Sequence, residues 1–146
     1  MYNTVKTLHS YWAYLVLLIL IFATINAIIK FIGKKEYHAK DFRVSLFTLI
    51  VMHIQLLIGI VLFFVSDYLS LISEMGMGSI MKNSSLRSNI IEHPITMILV
   101  VILITIGYSK HKKKLTSTSK FKTITIFYTL SLLLVLAKIP WNMWFS

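Results

Sequence analysis

Five histidines, at positions 9, 38, 53, 93 and 111, are the residues best equipped to do chemistry in this chain. Imidazole binds metals, moves protons and titrates near neutrality. Cysteine is absent, which removes disulfides, thiolate metal sites, iron–sulfur clusters and covalent c-type haem attachment. His38 and His111 stand among lysines and read as solvated loop residues. His9, His53 and His93 instead open or interrupt long apolar runs, where an ionisable side chain is costly and usually marks function. No serine–histidine–acid arrangement accompanies them and no acid falls inside an apolar run, so a carrier or subunit is expected rather than an enzyme.

The elements that position these histidines follow from composition. Hydrophobic residues make up 57% of the 146-residue chain and charged residues 14%, against roughly 25% charged in a soluble domain. The mean hydropathy is +0.78. Each bilayer crossing needs about 20 mainly apolar residues, and windows of about that length recur at about 11–29, 44–65, 94–108 and 124–141. The third window either begins at Pro94 or reaches back to about Leu86 with a kink at Pro94. Four spans cannot close a barrel, so they are helices. The expected fold is an all-α membrane protein, one domain, built as an up-down bundle of four transmembrane helices. The first apolar run is longer than a signal-peptide core and no small-residue cleavage site follows it, so it reads as a retained helix.

Charge sets the expected orientation. Lys30, Lys34, Lys35, Lys40 and Arg43 occupy loop 30–43; Lys110, Lys112, Lys113, Lys114, Lys120 and Lys122 occupy loop 109–123. The other side holds Lys6, Lys82, Arg87 and Lys138, with Asp67, Glu74 and Glu92. Eleven basic residues against four make the two basic loops cytoplasmic and leave both termini outside. The net charge of +10 is therefore a topology signal, and nucleic acid is not an expected partner; the lipid bilayer is. Tyr11, Trp12 and Tyr14, with Trp141, Trp144 and Phe145, form an aromatic belt at the outer interface. Met75, Met77 and Met81 in the outer loop 66–93 are soft ligands of the kind copper(I) takes, but they read as part of a mobile loop.

With both termini outside, His9 and His93 each begin a helix that runs inward. They lie at one depth on helices one and three, which are diagonal partners in an up-down bundle. Two imidazoles so placed can approach one iron from opposite faces, as axial ligands of a haem b. Arg87, just before the third span, and Lys138, near the outer end of the fourth, are candidate partners for the propionates. His53 lies about 15 Å into the second span at 1.5 Å per residue, near the bilayer midplane, with Gln55 and Gly59 following. It reads as a helix-to-helix hydrogen bond, a contact to a cofactor, an alternative ligand or a quinone site.

These residues carry a resemblance. His53-Ile-Gln-Leu-Leu-Ile-Gly59 resembles a Gln-x-x-x-Gly helix of haem A synthase, and Glu92-His93 at the head of an inward-running helix resembles that enzyme's haem-ligating helices. Here there is one bundle instead of two, and Lys6 stands where a glutamate precedes the ligand histidine in that family. The whole chain resembles small bacterial four-helix membrane proteins labelled cytochrome b-like. The stretches that carry this are Leu8-His-Ser-Tyr-Trp-Ala-Tyr14, His53–Gly59, Glu92-His-Pro94 and Lys138-Ile-Pro-Trp141. The likeness to haem A synthase implies haem binding at His9 and His93 but not synthase activity, and the whole-chain likeness implies little about activity. The leading expectation is a b-type haem protein in a bacterial inner membrane, serving electron transfer or haem handling near the periplasmic face. The alternatives are a cofactor-free accessory subunit of a larger membrane complex, and a quinone- or lipid-interacting protein built around His53.

Overall fold

In the computed structural model, residues 1–141 are described. The elements are α1 (Tyr2–Ile32), α2 (Ala39–Val65), the short α3 (Tyr68–Met75), α4 (Met77–Lys82) and α5 (Ser84–Leu86), a π turn (Arg87–Glu92), α6 (His93–Lys112) and α7 (Ser117–Lys138). Among the described residues there is no strand. Four stretches are long and apolar enough to cross a membrane: Tyr2–Ile32, Ala39–Val65, Ser84–Lys112 and Ser117–Lys138. The protein is thus a multi-pass, all-α membrane bundle. Trp144 and Phe145, expected in the aromatic belt, lie outside the described residues.

Each helix starts before its expected apolar window, and for α2 and α7 a cap on the polar flank sets that start. His38 and Asp41 form a reciprocal capping box at the start of α2. Thr116 accepts from the backbone N–H of Ser119 at 3.1 Å to start α7. The loops expected at 30–43 and 109–123 therefore shrink to 33–38 and 113–116. In the third span the chain is helical from Ser84 onward, in line with the longer of the two expected starts. Pro94 lacks an N–H and crowds the carbonyl four residues back, that of Ile90; the helix accommodates it by widening into the π turn immediately before His93. Gly76, with φ of +79°, breaks α3 from α4 in a conformation that side-chain-bearing residues rarely adopt.

Around the bundle, α1 packs on α2 and α7, and α6 packs on α7 and α2. This places α1 diagonal to α6. Apolar stripes at three- and four-residue spacing meet inside: Val16, Leu20, Ala23 and Ala27 of α1 face Phe121, Ile124, Tyr128 and Val135 of α7 and Val100 and Ile104 of α6. Gly107 lets α6 approach α7 so closely that a β-carbon there would overlap Phe127. The opposite faces, such as Leu18, Phe22, Ile25 and Ile29, are exposed and equally apolar, as a helix bathed in lipid requires.

Four of the buried hydroxyls satisfy themselves locally. Ser45, Thr48, Thr123 and Ser131 each donate to a carbonyl one turn back on their own helix. Tyr128, fully buried, donates from α7 to the carbonyl of Ser45 on α2 at 3.0 Å.

Candidate functional site

At the end of the bundle opposite the lysine-rich loops, His9 and His93 come together. Their ring centres are 6.3 Å apart and their planes are nearly perpendicular, at 86°. Both rings are partly buried, and they reach each other from the diagonal helices α1 and α6.

Each ring is held by a neighbouring helix. His93 meets the carbonyl of Lys138 through Nδ1 at 2.9 Å. A carbonyl only accepts, so Nδ1 carries the proton and the Nε2 lone pair is free. That carbonyl is available because α7 ends there: the last carbonyls of a helix lack helical donors, and Pro140 supplies none. Trp141 Nε1 takes the neighbouring orphan, the carbonyl of Leu136, at 2.8 Å. His9 leans on α2 instead. A β-carbon at Gly59 would lie 3.3 Å from His9 Cε1, so glycine makes the room that the ring fills. One turn earlier, Gln55 donates to the His9 carbonyl at 2.8 Å. The Gln-x-x-x-Gly spacing thus puts both residues on the face of α2 that seats His9. The Nδ1 atom of His9 is buried with no hydrogen-bond partner.

Glu92 gathers the two cations singled out by sequence. Its Oε2 accepts from Arg87 Nε at 2.8 Å and its Oε1 from Lys138 Nζ at 3.0 Å. Arg87 also donates to the carbonyl of Met81 at 2.9 Å. Two positive groups and one negative group leave a surplus positive charge beside the histidine pair. Arg87, Lys138, His9 and His93 are therefore brought together, with a carboxylate between the cations that the sequence reading did not assign.

No family model, no curated protein and no solved structure matches the chain.

The remaining histidines separate clearly. His53 stands away from the pair, exposed on α2, with Nδ1 on its own helix's Leu49 carbonyl at 2.8 Å and Nε2 3.4 Å from Thr105 Oγ1 of α6. His38 is exposed and caps α2. His111 corrects its expected place: it is not a solvated loop residue but wholly buried in α6. Its Nδ1 donates to the Tyr108 carbonyl, and its Nε2 therefore accepts from Tyr37 Oη at 2.8 Å. Burial, with Asp41 and Tyr108 nearby, raises the Tyr37 phenol above its ordinary value, so it stays a proton donor to His111.

A buried acid was also missed. Asp41 is 2% exposed and accepts from Lys30 Nζ at 2.6 Å and Asn26 Nδ2 at 3.0 Å. It closes the lysine-rich end of the α1–α2 seam. The signal was present in sequence, since Asp41, Ser45, Thr48 and Met52 repeat at helical spacing.

Proposed function

We propose that His9 and His93 are the axial ligands of a b-type haem, and that the protein serves electron transfer or haem handling. The meeting of these two rings across the bundle carries the reading. An imidazole nitrogen sits about 2 Å from a transition metal, which puts two ring centres on one metal at about 6 Å; the observed 6.3 Å agrees with a shared ion. Ligating histidines as a rule donate the other ring N–H to a carbonyl or carboxylate, as His93 does to Lys138.

The donor set also favours haem over a bare ion. Among the described residues, no group of three or more histidine, cysteine or acidic side chains is placed to hold a metal, and structural zinc takes four protein ligands. Two imidazoles suit an iron whose other positions a porphyrin fills. Bound there, haem would supply a one-electron couple, and two histidine ligands would leave no open site for oxygen chemistry. The chain's own part is to fix the rings through Gly59, Gln55 and the Lys138 carbonyl, and to offer Arg87 and Lys138 to the anionic propionates.

By the positive-inside rule the lysine-rich loops are cytoplasmic, so the histidine pair lies toward the outer, periplasmic face of a bacterial inner membrane with both termini outside. A redox partner or larger membrane complex would dock there. Purified protein expressed with ample haem is expected to show a Soret band and reduced α and β bands at one haem per chain. His9→Ala and His93→Ala should remove them and His38→Ala should not. Colourless protein that co-purifies with stoichiometric subunits would support an accessory role instead.

A further inference from the structure

His53 occupies the centre of the 27-residue helix α2, at the hydrocarbon midplane of a helix of that length, and yet it is exposed. Ionisable side chains at this depth almost always face the bundle interior or a partner. Its hydrogen-bonding capacity is already fixed. Nδ1 faces the Leu49 carbonyl at 2.8 Å and must be the protonated nitrogen, because a carbonyl only accepts. In the neutral imidazole one nitrogen donates and the other accepts, which leaves Nε2 as the acceptor. Its neighbour offers no good donor: the Thr105 hydroxyl spends its proton on the Val101 carbonyl at 2.7 Å, while its approach to His53 Nε2 is 3.4 Å, beyond a good hydrogen bond. Two acceptors thus open side by side on the α2–α6 seam toward lipid.

What covers them must bring an O–H or N–H donor to mid-bilayer depth. The surrounding exposed side chains, Ile50, Ile54, Leu57, Ile98, Ile102 and Ile106, bring none. A second copy packed symmetrically on this face would add the same aliphatic residues and another Nε2 lone pair facing the first. Phospholipid donors sit at the headgroups, about 15 Å away in a hydrocarbon core of about 30 Å. A lipid-soluble hydroquinone combines an apolar ring with phenolic O–H groups and moves within the hydrocarbon.

We infer that His53 and Thr105 form a hydroquinone-binding site on the lipid face of the bundle, with a phenolic O–H donated to His53 Nε2. The binding does not depend on haem.

Duroquinol and its dimethyl ether, which has no O–H, provide the test by calorimetric titration into the full-length protein in detergent. Duroquinol is expected to bind at least about tenfold more tightly than the ether, the worth of one hydrogen bond of about 1.4 kcal/mol. His53→Phe should abolish that difference, and Thr105→Val should reduce it. Haem content should be unchanged in both variants, so loss of quinol preference and loss of haem are read separately. Equal binding of quinol and ether by the wild type, or an undiminished preference in His53→Phe, would overturn the site. So would a photo-crosslinker at Ile102 that captures another polypeptide stoichiometrically in membranes.

Discussion

Gly59 and His9 are complementary in shape: the missing side chain of one is the space taken by the ring of the other, with 3.3 Å between a β-carbon built at Gly59 and His9 Cε1. Gly59→Ala needs only a small retreat of the imidazole, whereas Gly59→Leu displaces it. Overpacking of this kind costs about 1–3 kcal/mol. Haem content should remain substantial in the alanine variant and fall sharply in the leucine variant, measured beside thermal unfolding in detergent. Equal haem in both would separate Gly59 from the site.

Arg87 and Lys138 share Glu92, and all three side chains are about one-third exposed, at 38%, 39% and 32%. Exposed ion pairs contribute little to stability, so Glu92→Gln should leave the fold intact and release both cations toward an anionic ligand. The double variant Arg87→Gln/Lys138→Gln should retain haem about fivefold less well, from two weak contacts of about 0.5 kcal/mol each. Competitive transfer to apomyoglobin measures the retention. Unchanged retention in the double variant would remove these residues from propionate binding.

His111 is held from three sides, by the Tyr108 carbonyl, the Tyr37 hydroxyl and the aromatic ring of Phe42. His111→Ala leaves the Tyr37 hydroxyl unpaired and opens a cavity, and should destabilise the bundle by about 2–4 kcal/mol. The expected readout is a lower unfolding midpoint with haem ligation preserved at the far end. Unaltered stability would return His111 to the solvated role that its lysine neighbours suggest.

Asp41→Asn tests the lysine-rich end of the α1–α2 seam. Breaking a fully buried ion pair costs about 3–5 kcal/mol, but the Lys30 side chain is 30% exposed and can turn to water. The expected loss is about 1–3 kcal/mol. Lys30→Ala should cost more than Lys30→Gln, because only glutamine keeps a donor for the buried carboxylate. Equal losses would mean that a neutral donor at position 30 does not replace the lysine ammonium.

Much of the frame was legible in the sequence, and the reasons bear on the site. Apolar windows located the four helices because lipid demands them, and the shared depth of His9 and His93 followed from helix direction. Helix ends were not legible, because hydropathy marks hydrocarbon contact while caps such as Thr116 and the His38–Asp41 box decide where a helix starts. That same gap hid His111. Once α6 is allowed past Tyr108, His111 continues the stripe of Val100, Ile104, Gly107 and Tyr108 into the core. The bridging of Arg87 to Lys138 by Glu92 was beyond sequence reasoning, since it depends on where α7 stops at Pro140 and how the π turn aims α6.

Electron paramagnetic resonance of the ferric, haem-loaded protein tests the axial pair most directly. Two imidazoles crossed near the observed 86° should give a low-spin, highly anisotropic signal, and His9→Ala or His93→Ala should convert it to high spin or lose the haem. A high-spin signal in the wild type, or a low-spin signal unchanged in both variants, would contradict ligation by His9 and His93.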